Sequence, residues 1–250
     1  MHLFETVVTI ISFIRRPKKR RLLSIAFSLR DKIGIEIGGP SNMFKLRTAL
    51  PIYTFAKGVD GVNFSNNTLW EGGISEGHNY KYYKRLIGDQ FISEGTNLAM
   101  IADSKYDFVL SCHSLEHIAN PLKALKEWRR IIKQDALLIL ILPNKHYTFD
   151  IDRPITKLSH LIADFENDTK ESDNTHFEEV IALHNLAYEQ SVKSKEELIN
   201  FVQSNEQLRG VHHHVFDFEL IAAMLTYAGF KVEYQECLHD LNLVTIGRKA

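Results

Sequence analysis

The feature that most constrains the fold lies between residues 32 and 41. Lys32 to Ile37 is a short β-branched run that passes directly into Gly38-Gly39-Pro40-Ser41. A strand that ends in a glycine turn ahead of a helix leaves backbone N–H groups free at the carboxyl edge of a parallel sheet, where nucleotide-like ligands bind. Glu36 stands beside them. In a dinucleotide site three glycines approach a pyrophosphate, whereas this turn continues Pro40-Ser41-Asn42 without a later glycine, which disfavours phosphate. A glycine turn also serves as a plain strand-to-helix connection, so the rest of the chain has to decide its meaning.

That chain alternates short apolar runs with helical patterns, the signature of a mainly parallel sheet covered by helices. The turn is expected to open a short helix over Asn42 to Thr48. A second strand ends at Val59-Asp60, a third lies near Gln90 to Ser93, and a fourth spans Asp107 to Ser111. A helix follows from about Asn120 to Lys133, with Leu122, Leu125, Trp128, Ile131 and Ile132 on one face. The fifth strand is Ala136 to Leu142. From 144 to 210 the pattern turns polar, rich in His and Asp, and reads as a helical insertion. Asp217 then caps a helix through Tyr227, Gly229 stops it, and Lys231 to Glu236 with Leu241 to Gly247 read as a closing strand pair. The expected fold is α/β and Rossmann-like, a mostly parallel sheet with helices on both faces, over residues 22–250.

A length of 250 residues suits one such domain. Apolar residues at 44% and charged residues at 24% exclude a disordered chain and a polytopic membrane protein. Cys112 and Cys237 are far apart and form no CxxC pair, so neither a disulfide framework nor a structural zinc site is expected, and a cytoplasmic location is the simpler reading. Residues 1–21 stand apart. Met1 to Ile14 is mostly apolar but shorter than the ~20 residues of a spanning helix. Arg15-Arg16-Pro17-Lys18-Lys19-Arg20-Arg21 follows it, the reverse of the order in a secretory signal. Two readings stay open: a helix in peripheral contact with the inner face of a membrane, or a helix packed on the domain and followed by a solvated linker. No aromatic residues interleave the basic run, so nucleic acid is not an expected partner.

Further candidates lie at the strand ends. Asp60-Gly61 offers a carboxylate to ribose hydroxyls, and Glu94-Gly95-Thr96-Asn97 offers a turn to an adenine edge. After the fourth strand come Ser111-Cys112-His113-Ser114-Leu115-Glu116-His117 and then Asn120-Pro121-Leu122. The run from Tyr106 through Leu142-Pro143-Asn144, taken with Glu36-Ile37-Gly38, resembles the class I S-adenosylmethionine-dependent methyltransferases of the type 11 kind, among them bacterial enzymes that modify glycans or specialised metabolites. The resemblance covers roughly residues 32–143 and, more loosely, 211–248. It implies S-adenosyl-L-methionine as cofactor and S-adenosyl-L-homocysteine as product. It also implies that Glu36 and Gly38, Gly39, Pro40 and Ser41 line the methionine part, that Asp60 and Gly61 meet the ribose, that Glu94, Gly95, Thr96 and Asn97 neighbour the adenine, and that Ser111, Cys112 and His113 lie beside the sulfonium. Pro40 stands where the family's second motif glycine would be, and Gln134-Asp135-Ala136 replaces the usual Pro-Gly-Gly before the fifth strand.

Methyl transfer is a direct displacement, so the protein chiefly aligns the acceptor, and a hydroxyl acceptor gains from a general base. Among twelve histidines, His113 is the first candidate, with His146 and His213 beside it; His117 is expected to orient its loop. His160, Asp164, His176, Glu178 and His184 of the insertion, with His212-His213-His214 after it, could ligate a divalent metal, but they show no HxxxH on a clear helix and no HxE spacing, so a polar, His-lined acceptor pocket is the preferred reading and a metal the lesser one. Asp150 and the Asp152-Arg153 pair read equally as a grip on a polar acceptor or as surface salt bridges. Trp70 and Phe64 read as a wall for a ring or as core. The chain is expected to O-methylate a sugar, a glycan intermediate or another small polar acceptor. A catalytically silent cofactor-binding scaffold is the alternative, and an NAD-linked enzyme would share the glycine turn and Asp60.

Overall fold

The computed structural model describes residues 19–189 and 191–250, so the apolar stretch and most of the basic run expected at residues 1–21 lie outside the described residues. Arg20 and Arg21 lie within them. They open a helix, Arg20–Ser28, that buries Leu22, Leu23 and Ala26, so the folded domain starts before residue 22. None of the described helices is long and apolar enough to cross a membrane.

The unbroken apolar run Ala136 to Leu142 explains the layering. It belongs to β6, Ile132–Pro143, in which every side chain from Ala136 to Pro143 is buried. A strand reads this way when both faces of its sheet are covered. Leu137, Ile139 and Ile141 pack with Leu22, Ala26, Ile52 and Tyr53 on one side. Leu138, Leu140 and Leu142 pack with Leu122, Leu125 and Trp128 of the Pro121–Ile131 helix and Leu220, Ile221 and Met224 of the Phe218–Tyr227 helix on the other. The caps agree with the sequence: Asn120 accepts from Lys123 N, and Asp217 from Leu220 N at 2.8 Å.

With β1 Ile33–Ile37, β2 Gly58–Asn63, β3 Gly77–Tyr83, β4 Leu86–Ile92, β5 Tyr106–Cys112, β7 Phe230–Leu238 and β8 Asn242–Lys249, the strands form one sheet in the order β3-β4-β2-β1-β5-β6-β8-β7. β4, β2, β1, β5 and β6 run parallel, and β3 and β8 run against their neighbours. The connection direction reverses between β1 and β5, so their carboxyl ends at Ile37 and Cys112 open the crevice where a ligand binds in such sheets.

Three expectations change. β2 does not end at Asp60 but continues to Asn63, pairing Val62 with Ile37. The helix expected over Asn42 to Thr48 is a single 3-10 turn, Asn42–Phe44, capped by Ser41, so no helix dipole stands behind the glycine turn. β3 went unread, although Tyr80 and Tyr82 alternate inward between exposed neighbours in a half-buried strand's pattern. Between 144 and 210 the described residues hold no strand. They form the helix Leu158–Glu166, whose Leu161 joins the sheet's core, and the helices Phe177–Leu183, Lys195–Gln203 and Asn205–Leu208, near a small core of Val180, Val192, Leu198, Val202 and Val211.

Candidate active site

Gly38 leaves β1 with φ of 77°, a region open to glycine, and a Cβ there would lie 2.0 Å from Ser114 Oγ. The turn therefore presses against the loop after β5. Beneath it Glu36 is fully buried. Tyr53 donates a very short hydrogen bond to its carboxylate, Tyr80 donates at 2.7 Å, and the backbone N–H of Ser41 donates at 3.0 Å. Burial pushes Glu36 up to about 7 despite these donors. Glu36 thus holds the loop's shape from below and does not form part of the cavity wall.

Above the loop lies a cavity of about 410 Å³, within the ~300–1,000 Å³ usual for small-molecule sites. Gly38, Gly39, Pro40 and Ser41 form its floor, Val62, Asn63 and Phe64 one side, and Glu94 and Gly95 the far end. Cys112, His113 and Ser114 complete the wall, with Trp70 and Glu71 from the loop after β2. Burial raises the Cys112 thiol to about 12, which leaves it a packing group. Trp128 Nε1 fixes the Gly95 carbonyl at 2.9 Å. Arg209, from the insertion, bonds Glu94 at 2.6 Å and Glu171 at 2.5 Å and so reaches across the Glu94 end of the cavity.

Several expected residues are elsewhere. Asp60 lies midway along β2, where it accepts from Asp89 N at 2.9 Å and Tyr106 Oη at 2.7 Å. Tyr106 begins β5, so this carboxylate faces the opposite half of the sheet from the cavity. The cavity's carboxylate after β2 is Glu71 instead. Gly61 is covered by the Tyr80 ring, and Ser111 is buried inside β5. Thr96 and Asn97 belong to the turn beyond Gly95 and are not on the wall; the Asn97 carbonyl accepts from Ser93 Oγ.

A second cavity of about 610 Å³ adjoins the first, and Trp70, His113 and His117 line both. His113 Nε2 faces Asn242 Oδ1 at 2.9 Å, while the Asn242 amide donates to Leu238 O at 3.1 Å. That orientation places the imidazole proton on Nε2. His117 Nδ1 donates to Val211 O at 3.2 Å, and burial pushes its pKa well down, so its Nε2 is unprotonated. Glu116 is fully buried between them and neither carboxylate oxygen has a hydrogen bond; burial raises its pKa.

Sequence reasoning missed the strongest pair in this second cavity. His212 Nδ1 lies 2.5 Å from Asp150 Oδ2. Burial alone would raise Asp150, but His212 and Arg153 outweigh it and hold the carboxyl down at about 2. Arg153, 1% exposed, bonds Asp150 at 2.8 Å, the carbonyls of His212 and His213 at 2.8 and 3.1 Å, and Glu179 at 2.9 Å. Its guanidinium is committed to the protein, so it neither grips an acceptor nor makes a surface bridge. His213 points the other way: it is fully buried, accepts from the Asn205 amide at 3.2 Å, and is held down to about 3 by burial. His146 is exposed on a 3-10 turn outside both cavities. The triple histidine carried a signal, but only its first member reaches the site.

Residues 72–140 match the family model of a methyltransferase domain. No curated protein matches the chain. Among solved structures, an S-adenosylmethionine-dependent methyltransferase from Mesorhizobium loti superposes with a TM-score of 0.53 at 11% identity, covering 93% of this chain and 96% of its own. A Pyrococcus horikoshii protein superposes at 0.52 with 14% identity, covering 95% and 91%. At these identities the structures speak for the fold, and the family match for the domain. Together they give residues 72–140 the likeness of a methyltransferase domain and the chain a fold shared with S-adenosylmethionine-dependent methyltransferases.

Proposed function

We propose that the protein binds S-adenosylmethionine in the first cavity and methylates a hydroxyl of a small polar acceptor, a sugar or glycan intermediate, held in the second. The observation that carries this reading is the shared wall: the two cavities meet at Trp70, His113 and His117, with the Asp150–His212 pair on the acceptor side.

The residues of the first cavity suit the cofactor. A floor of glycines allows close backbone approach, Glu71 offers acceptors to ribose hydroxyls, and the turn at Glu94-Gly95 closes the adenine end. The cofactor supplies a methyl group on a sulfonium, already a good leaving group, so alignment carries most of the catalysis. The chain's own contribution is removal of the acceptor's proton. His212 donates a hydrogen bond from Nδ1–H to Asp150, which fixes the tautomer and leaves Nε2 of the neutral ring to take the acceptor's proton as the oxygen–carbon bond forms. Asp150 stabilises the resulting imidazolium, as a carboxylate does behind any such base.

The acceptor cavity mixes Tyr147, Phe149 and Tyr188 rings with Glu189 and Glu116 carboxylates. Rings stack on sugar faces and carboxylates accept from hydroxyls, which supports a polyhydroxylated acceptor. The apolar stretch and basic run of residues 1–21 support a position at an anionic membrane face, where such acceptors can be carried. The test is incubation of the protein and cofactor with host extract, followed by mass spectrometry for a product heavier by one CH₂. Cofactor binding without any such product would instead support a silent scaffold, and no cofactor binding at millimolar concentration would end the enzyme reading.

A further inference from the structure

A separate group of side chains lies where the insertion meets the core. His160 and Asp164 sit one turn apart on the Leu158–Glu166 helix, His176 immediately precedes the Phe177–Leu183 helix, and His214 lies on the extended segment that returns from the insertion. His160 Nε2 is 3.0 Å from His176 Nε2 and 3.3 Å from Asp164 Oδ2, and that oxygen is 3.6 Å from His214 Nε2. One ring nitrogen from each histidine falls within 4.8 Å of the others.

We propose that His160, Asp164, His176 and His214 bind one divalent transition metal ion, with zinc the best fit, and that this ion fastens the insertion to the sheet domain. Zinc bonds imidazole nitrogen and carboxylate oxygen at about 2.0–2.1 Å in a tetrahedron, whose edges are then ~3.3 Å. The His160–His176 and His160–Asp164 separations of 3.0 and 3.3 Å lie at that value, and His214 Nε2, 3.2 Å from Ala119 O, would give up that bond to ligate. Three imidazoles with one carboxylate are a borderline donor set of the kind that suits zinc.

An independent observation points the same way. Asp164 Oδ2 and His214 Nδ1 are buried without a hydrogen bond, and His214 is 1% exposed. Buried polar atoms are ordinarily satisfied, so an orphaned carboxylate oxygen facing two imidazole nitrogens marks a missing partner. The rest of Asp164 is anchored: its other oxygen accepts from Thr169 Oγ1 at 3.3 Å and its carbonyl from the Asn120 amide at 2.9 Å. Only Oδ2 is left to ligate. The ion would join three segments distant in sequence, one of them two residues from His212. The spacing His160-x-x-x-Asp164 on one helix face was the available sequence signal.

The test needs no knowledge of the acceptor, so its failure is distinct from failure of the methyltransferase reading. Full-length protein purified with Zn²⁺ and passed over a desalting column should carry one zinc per chain by elemental mass spectrometry. Co²⁺ loaded in its place should give the intense visible bands of a tetrahedral site. His160→Ala and His176→Asn should each lower the bound metal at least tenfold and abolish those bands, while His146→Ala keeps them. Should a variant fail to fold by circular dichroism, Co²⁺ titration of the chelator-treated wild type decides. Absence of tetrahedral bands, or metal retained in both variants, would overturn the site. So would loss of metal in His117→Ala with retention in His176→Asn, which would place the ion in the acceptor cavity.

Discussion

His212 Nδ1 and Asp150 Oδ2 are 2.5 Å apart although 62 residues separate them, and both line the cavity next to the cofactor loop. Their pairing depends on the return segment of the insertion. His213 N donates to Glu116 O at 2.8 Å, which lays that segment along the loop after β5 and sets His212 facing the shared wall.

His212→Gln removes the base while roughly keeping its volume. It should lower kcat by about 10²–10⁴-fold, the usual contribution of a general base. Cofactor affinity, read by calorimetric titration, should be unchanged because His212 does not line the first cavity. An unaltered kcat would remove His212 from the chemistry, with His117 Nε2 as the next candidate.

Cofactor affinity should respond to Glu71 and ignore Asp60. A hydrogen bond to a charged group contributes ~1.5–3 kcal/mol, so Glu71→Ala should weaken binding by roughly 10–100-fold. Asp60→Asn should leave the dissociation constant where it was, since its carboxylate is occupied by Asp89 N and Tyr106. The opposite pattern would mean that the loop after β2 is misassigned.

Arg153→Met should cost about 3–5 kcal/mol of stability, because it strips a buried carboxylate and two backbone carbonyls of their donor. Urea midpoints would measure it. A midpoint like that of the wild type would show that Arg153 is replaceable.

Glu36 should make the domain's stability fall with rising pH. Its pKa is raised from an ordinary 4.5 to about 7 in the folded chain, so the native state binds more protons across that window. The contribution is fully present below about 4.5 and lost as pH climbs through about 7. Glu36→Gln should flatten this part of the profile, measured as melting temperatures from about pH 5 to 8. Equal slopes in both proteins would contradict a protonated buried carboxylate.

Much of the fold was legible because apolar periodicity and capping residues are local signals. Ala136 to Leu142, the helix start near Asn120, the Asp217 cap and the Gly38 turn all read correctly. The end of β2 did not, because Asp60-Gly61 looks like a strand terminus in isolation and only its pairing with β1 carries the strand on to Asn63. For the site, Gly38 to Ser41, Glu94, Gly95, Cys112 and His113 were named from the sequence and line one cavity. Which of three adjacent histidines faces a cavity was beyond reach. Successive residues of an extended segment point to opposite sides, and the register of 212–214 is set by long-range bonds to Glu116 and Arg153.

The insertion has an apolar core of its own around Leu198 and Val202, which would suit it to being exchanged between relatives as a cartridge that changes the acceptor. The graft would not be clean. Arg209 and Glu171 travel with the insertion, yet both reach the cofactor cavity and Arg209 bonds Glu94 at 2.6 Å. A chimaera with a new second cavity would therefore inherit a new rim on the first, so the two cavities change together in this architecture.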